Sequence, residues 1–341
     1  MSFTIFSVRI WVDVFASVEE ARHRSSPKTF SEFAKNVGKT PITELKAINP
    51  TNSRIFAKLD FLNPSGSIKD VMAYHMVNAA EERGNLNPGS RIMEATTGNT
   101  GISFALVSSL RGYRFTAVMP EHMSTERRQA MESYGAKVIL TPKQEDMPGA
   151  IKKFSDMQKQ MPDAWLPMQF ENPDNVAAHR EITGKEILKA MDGNNVDIFV
   201  AGVGTGGTLM GVAQALKATN PDVRIIAVEP SESAVLSGGK PGLHGIQGIG
   251  EGFIPKLVDM GIIDDVVTVS TGEAIEMTKK LNDEEGLFVG ISSGANVFAA
   301  LKTAEKYGKT GNGRNIVTVL PDIGGRYLSM GIFNNNPQVK Q

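Results

Sequence analysis

Three stretches of the 341-residue sequence combine residue types and spacings able to hold a reactive group. The first is NPSGSIKD, Asn63 to Asp70: the alternating run RIFAKLDFL (Arg54 to Leu62) reads as a strand, Asn63-Pro64 and Gly66 end it, and a helical pattern follows. Ser67 is placed as the N-cap, with Asp70 as its capping-box partner. Lys69 then sits in the first helical turn, where the positive end of the helix dipole and free N–H groups disfavour an ammonium. Burial would act in the same direction, toward a neutral amine able to attack a carbonyl. This segment alone leaves a solvated surface lysine open.

The second stretch, GVGTGGT (Gly202 to Thr208), follows a strand and opens a helix. Glycines let the backbone approach an anion, the helix start supplies N–H donors, and Thr205 and Thr208 add hydroxyls, so a phosphate is the expected occupant. The same residues fit G-x-G-x-x-G (Gly202, Gly204, Gly207), and Glu229 closes the next strand where a ribose-binding acid would stand. Spacing by itself therefore leaves a nicotinamide-dependent oxidoreductase open. No Lys-Ser/Thr pair follows the glycines, which excludes a P-loop. The third stretch, EATTGNTG (Glu94 to Gly101), clusters Thr96, Thr97, Asn99 and Thr100 around Gly98 at another helix start. It suits a second anion such as a carboxylate, or is simply a well-capped loop. Two anion cradles and a candidate neutral lysine together point to pyridoxal phosphate, a phosphate-bearing aldehyde held by a lysine; a dehydrogenase accounts for only one of the three.

The elements that must position these stretches follow an αβ rhythm. Strand-like runs fall at 90–95, 114–119, 136–141, 197–202, 223–229, 265–270 and 315–320, with helical runs between them ending at Gly, Asn or Pro. AAHREITGKEILKAM is read as one such helix. The expected fold is α/β, with mostly parallel sheets covered on both faces and ligands outside the carboxyl ends of the strands. The polar break PMQFENPDN (167–175) is the best candidate domain boundary, and residues 1–35 read as an extension.

Composition narrows the partners. Lys+Arg 36 against Asp+Glu 37 gives a net charge of −1, with no basic field for nucleic acid. The sequence has no cysteine, which excludes disulfides, thiolate nucleophiles and Cys-ligated metals and fits a reducing compartment. His23, His75, His122, His179 and His244 show no metal-ligand spacing. No stretch reaches membrane-span length, and FTIFSVRIWVDVFASV is broken by Arg9 and Asp13, so it makes a poor secretion signal. A cytoplasmic enzyme is the default. The methionines around Met72 and Met76, with Trp11 and Trp165, read as core or interface, and Glu126 to Arg128 as a solvated face with local ion pairs.

NPSGSIKD, EATTGNTGIS, MPEHMSTERRQAMESYGA, VGTGGTLMGV, VEPSESAVLSGGKPGLHGIQGIGEGFIP, GISSGAN and LPDIGGRYLS, in that order, resemble the cysteine synthase family (O-acetylserine sulfhydrylase and cystathionine β-synthase relatives). The likeness runs from about Val37 to about Ser329. It implies a fold-type II, tryptophan synthase β-like pyridoxal-phosphate enzyme of two αβ domains. The N-terminal domain would span 63–173, and the C-terminal one 36–62 plus 174–341. Lys69 would be the Schiff-base lysine and the base at the substrate Cα. Asn99 would contact the cofactor's 3′ oxygen, Gly204, Thr205, Gly206, Gly207 and Thr208 its phosphate, and Ser292 its pyridine nitrogen. Thr96, Thr97, Gly98 and Thr100, with Gln169, would hold the substrate carboxylate. A serine carries no charge to stabilise a pyridinium, which favours β-elimination over transamination. The implied reaction makes L-cysteine from an O-activated serine, O-acetylserine foremost, and sulfide through an aminoacrylate, in a homodimer. A cystathionine β-synthase-type condensation with homocysteine is the neighbouring reading, and a catalytically silent binding paralogue a third. The sequence departs from the family pattern at Val71, Thr97, Ile323, Gly325 and Glu251, the last standing where sulfhydrylases commonly have alanine. A carboxylate near the site mouth should favour an amino-acid nucleophile.

Overall fold

The structure, a computed structural model, describes residues 27–308 and 313–333. Two sheets organise it. Strands β1 (Ile42–Leu45), β2 (Arg54–Lys58), β6 (Ile198–Gly202), β7 (Arg224–Pro230), β8 (Asp265–Val269) and β9 (Asn315–Val319) form one, in the order β1-β2-β9-β6-β7-β8. Strands β3 (Arg91–Ala95), β4 (Arg114–Pro120) and β5 (Lys137–Thr141) form the other. All pairings are parallel except β1 with β2. After α1 (Pro27–Asn36) the chain runs through β1 and β2 of the six-stranded sheet, leaves it to build the three-stranded one, and returns at β6.

Helices cover both faces of each sheet: α1 (Pro27–Asn36), α2 (Lys69–Glu82), α3 (Asn99–Arg111), α4 (Thr125–Ser133), α5 (Asp146–Gln160), α6 (Pro173–Ala178), α7 (Lys185–Ala190), α8 (Gly207–Thr219), α9 (Thr271–Glu285) and α10 (Ile291–Tyr307). The period-two alternation of the strands decides which face each side chain meets. Ile198, Val200, Ile226 and Val228 pack against α9 and α10. Phe199, Ala201, Ile225 and Ala227 instead meet Leu209, Val212 and Leu216 of α8. On the smaller sheet, Ile92, Phe115 and Ala117 pack with Val71, Met72 and Met76 of α2, while Met93 and Val118 face Phe154 of α5. Phe30 and Phe33 of α1 close that core against Tyr74, with ring centroids 6.0 and 6.2 Å away. Trp165 sets an edge on Phe104. Trp11 and the apolar stretch around it lie outside the described residues.

Three local expectations need correction. The run Arg54 to Leu62 is a strand only to Lys58, and Asp60–Leu62 is a 3₁₀ turn. The buried Lys58 amine holds the chain there by donating to the carbonyls of Gly38 and Thr40 and to Thr40 Oγ1, while the Phe61 amide bonds Leu320 O. Nor does Ser67 cap α2. The position before Lys69 is Ile68, in helical conformation, and Asp70 reaches back to the Ser65 amide (2.6 Å) and hydroxyl (2.5 Å). Finally, AAHREITGKEILKAM is not one α-helix: a π-helical segment, His179–Gly184, separates α6 from α7. Such widened turns accompany functional positions, and His179 sits at its start.

Candidate active site

The turns after β3, β6 and β9, each at a strand's carboxyl end, converge on one cavity. Lys69, Thr97, Asn99, Thr100, Gln169, Gly204, Thr205, Gly206, Thr208 and Ser292 all line it. Of the residues expected at the site, Thr96, Gly98 and Gly207 do not reach the lining.

Lys69 is placed there by straps on either side. Asp70 is bonded to Ser65 and to Ser103 Oγ of α3 at 2.6 Å, and the Ile68 amide bonds Pro321 O at 2.8 Å just past β9. The Lys69 amine makes no hydrogen bond or ion pair with a described residue. Removal from water pushes it below the ordinary lysine value, against the opposing charges of Glu251 and Asp322.

The turn from β6 into α8 is a cradle for an anion. Gly206, at φ +85°, is the residue preceding α8, a left-handed geometry that a side chain would strain. The first-turn amides of α8 have no carbonyl four residues back to bond. Thr205 Oγ1 accepts from Asn175 Nδ2 (2.9 Å) and from the Gly207 amide (3.3 Å), leaving its own proton to donate. Thr208 Oγ1 lies 3.3 Å from His179 Nε2, whose ring is otherwise held by Thr183 Oγ1 at 2.9 Å. Burial, with the nearby Lys69 charge, drives His179 down to about 3, so this ring is neutral. Across the cavity the Ser292 hydroxyl, at the start of α10, has no described hydrogen-bond partner. Asn296, one turn further on, ties β6 to β9 by accepting from the Gly202 amide and donating to Val319 O, both at 2.8 Å.

The turn from β3 into α3 is built differently. Thr96 Oγ1 accepts from the Gly98 and Gly101 amides, so it shapes the loop from behind. Gly98 sits at φ +138°, and the Arg127 side chain fills the space where a Cβ would stand, so geometry and packing both call for glycine here. Thr100 Oγ1 donates to Gln169 Oε1 (2.7 Å), and Gln169 Nε2 donates to Ala95 O (2.7 Å). Asn99 Nδ2 donates to Asp322 Oδ2 (2.8 Å), while its carbonyl accepts from Arg326.

Arg127 is the residue that the sequence misplaced. Read as solvated, it is 1% exposed: Arg127 Nη2 donates to Tyr327 OH (2.8 Å), Tyr327 OH donates to Asp322 Oδ2 (2.8 Å), and Nη1 donates to Gln247. Helical spacing held the signal, since Arg127 falls between Ala130-Met131 and Met123-Ser124 on the buried side of α4, whereas Arg128 pairs with Glu132 in water. Asp322, Arg326 and Tyr327 lie within LPDIGGRYLS, but no pattern announced that they would close on residues two hundred positions earlier. Glu229, the acid a dinucleotide would need, is turned away. Its carboxylate accepts from the Leu236 and Ser237 amides and the Ser237 hydroxyl, closing its own loop. Among the described residues no cluster of three metal-ligating side chains exists, and no helix is long and apolar enough to cross a membrane.

Residues 33–322 match the family described as "Pyridoxal-phosphate dependent enzyme". The chain is 44% identical over 308 residues to a cysteine synthase of Staphylococcus aureus, covering 90% of this chain and 98% of that relative. Among solved structures it is similar to cysteine synthase (OASS) from Entamoeba histolytica, with a TM-score of 0.84, 42% identity and coverage of 89% and 90%. It is also similar to the O-acetylserine-dependent cystathionine β-synthase of Helicobacter pylori, with a TM-score of 0.83, 42% identity and coverage of 88% and 98%.

Proposed function

The chain belongs to the pyridoxal-phosphate-dependent enzyme family, and from that premise we propose that it makes L-cysteine from an O-activated serine, O-acetylserine foremost, and sulfide. The observation that carries this reading is an unpartnered, desolvated lysine amine sharing a cavity with a helix-start anion cradle and a free serine hydroxyl. These are the three demands of a phosphate-bearing pyridine aldehyde, so the residues present fit the group. The chemistry supplied by pyridoxal phosphate, when bound, is electron withdrawal from the substrate Cα, which lets a β-substituent depart and a nucleophile add at Cβ.

The protein's own part is distributed among its residues. Lys69 would hold the cofactor at Nζ and would serve as the base that takes and returns the substrate Cα proton, its lowered basicity favouring the uncharged amine that both roles need. The α8 start, Thr205 and Thr208 hold the phosphate, Thr208 being oriented by a histidine that brings no competing charge. Asn99, fixed between Asp322 and Arg326, meets the 3′ oxygen, and Ser292 meets the ring nitrogen without a charge of its own. Thr97 and the α3 start receive the substrate carboxylate, with Thr100 and Gln169 locked to each other behind them. Thr96 and Gly98 set the loop's shape. Gly207 leaves room for Asn175 behind the cradle.

We divide the chain accordingly into 63–173 and 36–62 plus 174–341, a division supported by the two sheets and by the return of the chain at β6. The enzyme is read as a cytoplasmic homodimer, the dimer resting on the family likeness and the compartment on the absence of cysteine. Incubating the loaded enzyme with O-acetylserine and sulfide, and following products by mass spectrometry, tests the proposal. L-Cysteine formed with turnover is the expected result; no product with sulfide, whatever the activated serine, would overturn it.

A further inference from the structure

Deepening the proposed function, and resting on it, we infer that Asp322 and Arg326, neither of which lines the cavity, are positioning residues: they lock the Asn99 amide in one orientation, with an N–H left to donate, and so favour the ionised form of the cofactor's 3′ oxygen.

An asparagine amide has two unlike ends: its oxygen only accepts, and its nitrogen carries two protons to donate. The terminal torsion has two broad settings, so the neighbours decide which end goes where. Here they decide it twice. Asp322 Oδ2 accepts from Asn99 Nδ2 at 2.8 Å, and Arg326 Nη1 donates to Asn99 Oδ1. Turning the amide over would set its oxygen against a carboxylate and its nitrogen against a guanidinium, losing two charge-assisted hydrogen bonds at once. Both partners are buried and held in place themselves. Asp322 Oδ2 also accepts from Tyr327 OH at 2.8 Å and lies 3.5 Å from Arg127 Nη2, so its surroundings are donors, as suits a carboxylate. Arg326 Nη2 donates to Ser65 O, which ties the same guanidinium to the turn before Lys69.

Asn99 lines the cavity beside Lys69. With Oδ1 facing a guanidinium and one nitrogen proton on Asp322, the group left to offer is the second Nδ2 proton. A donor favours an ionised 3′ oxygen, whereas a carbonyl in its place would favour the protonated one. The electronic state of the bound ring is thus governed from the segment after β9, and not only from the β3 turn that carries Asn99.

The test titrates the apoenzyme with pyridoxal phosphate, reading affinity by fluorescence and the state of the 3′ oxygen by the absorption of the bound cofactor. We expect Asp322→Asn and Arg326→Met each to weaken binding about tenfold, as for one hydrogen bond to a charged group. Each should also move absorption from the visible band of the ionised 3′ oxygen toward the near-ultraviolet band of the protonated one. In an Asn99→Ala background the same two substitutions should change affinity less than about twofold and leave the spectrum where Asn99→Ala alone puts it. A merely structural role would lower affinity by the same factor with or without Asn99 and leave the spectrum unmoved; that result, with the unaltered enzyme binding cofactor at Lys69, would overturn the inference alone. Failure of the unaltered enzyme to take up pyridoxal phosphate at Lys69 would refute the proposed function and this inference with it.

Discussion

The turn after β6 and the turn after β3 both deliver threonines and glycines to the start of a helix, yet what stands behind them differs. Behind the β6 turn the supports are neutral: Asn175 on Thr205, and an uncharged His179 on Thr208. No side-chain charge stands behind this turn, so the positive end of α8 meets the anion there, which suits a phosphate held in one place. Behind the β3 turn stands a buried guanidinium, packed on Gly98 and coupled to Asp322 and Tyr327. That loop's shape depends on charges from α4 and from the segment after β9. One turn is a passive cradle, and the other is tied to an ionic cluster assembled from distant parts of the chain.

The largest test of that contrast is removal of the charged support. Arg127→Met leaves Asp322 buried without its cation and should cost about 3–5 kcal/mol in urea unfolding, whereas Arg128→Ala, on the wet side of the same helix, should stay within about 0.5 kcal/mol. Equal effects would show that the cluster is not what holds the loop. Next, Thr205→Val combined with Thr208→Val should weaken pyridoxal phosphate binding about 100-fold in a fluorescence titration of the apoenzyme, since two hydroxyls to an anion are lost. Thr97→Ala should do the reverse, raising the KM for O-acetylserine about tenfold while moving cofactor affinity less than about twofold. A cofactor defect in Thr97→Ala would merge the two regions into one. The subtlest effect concerns Glu94, whose carboxylate accepts from the Ala95 and Gln169 amides beside the β3 turn. Burial raises it to about 8, so the folded state holds a proton that the unfolded state releases near 4.5. Its contribution to stability is therefore complete at low pH and lost as pH rises through about 8. Glu94→Gln should flatten the fall in unfolding free energy between about pH 5 and about pH 8, and an unchanged slope would refute the assignment.

How much of this was legible beforehand follows the range of the interactions. The seven later strands and the turns that leave their carboxyl ends were readable, because strand periodicity and glycine-rich helix starts are local properties. The α2 start was misread at Ser67, since Asp70 chose Ser65 and Ser103 instead, and the second of these lies on another helix. Arg127 was invisible for a stronger version of the same reason. A charged residue on a helix reads as solvated unless its partners are known, and Gln247, Asp322 and Tyr327 come to it only through the fold. Nothing in AAHREITG marks the π turn that faces His179 toward Thr208, so its place behind the cradle is not legible in the sequence.

The central claim is that one amine, at Lys69, carries the cofactor. Reduction of the loaded enzyme with borohydride, followed by proteolysis and mass spectrometry, should place the reduced pyridoxyl group on the peptide containing Lys69. Its appearance on any other lysine, or on none, would contradict the account.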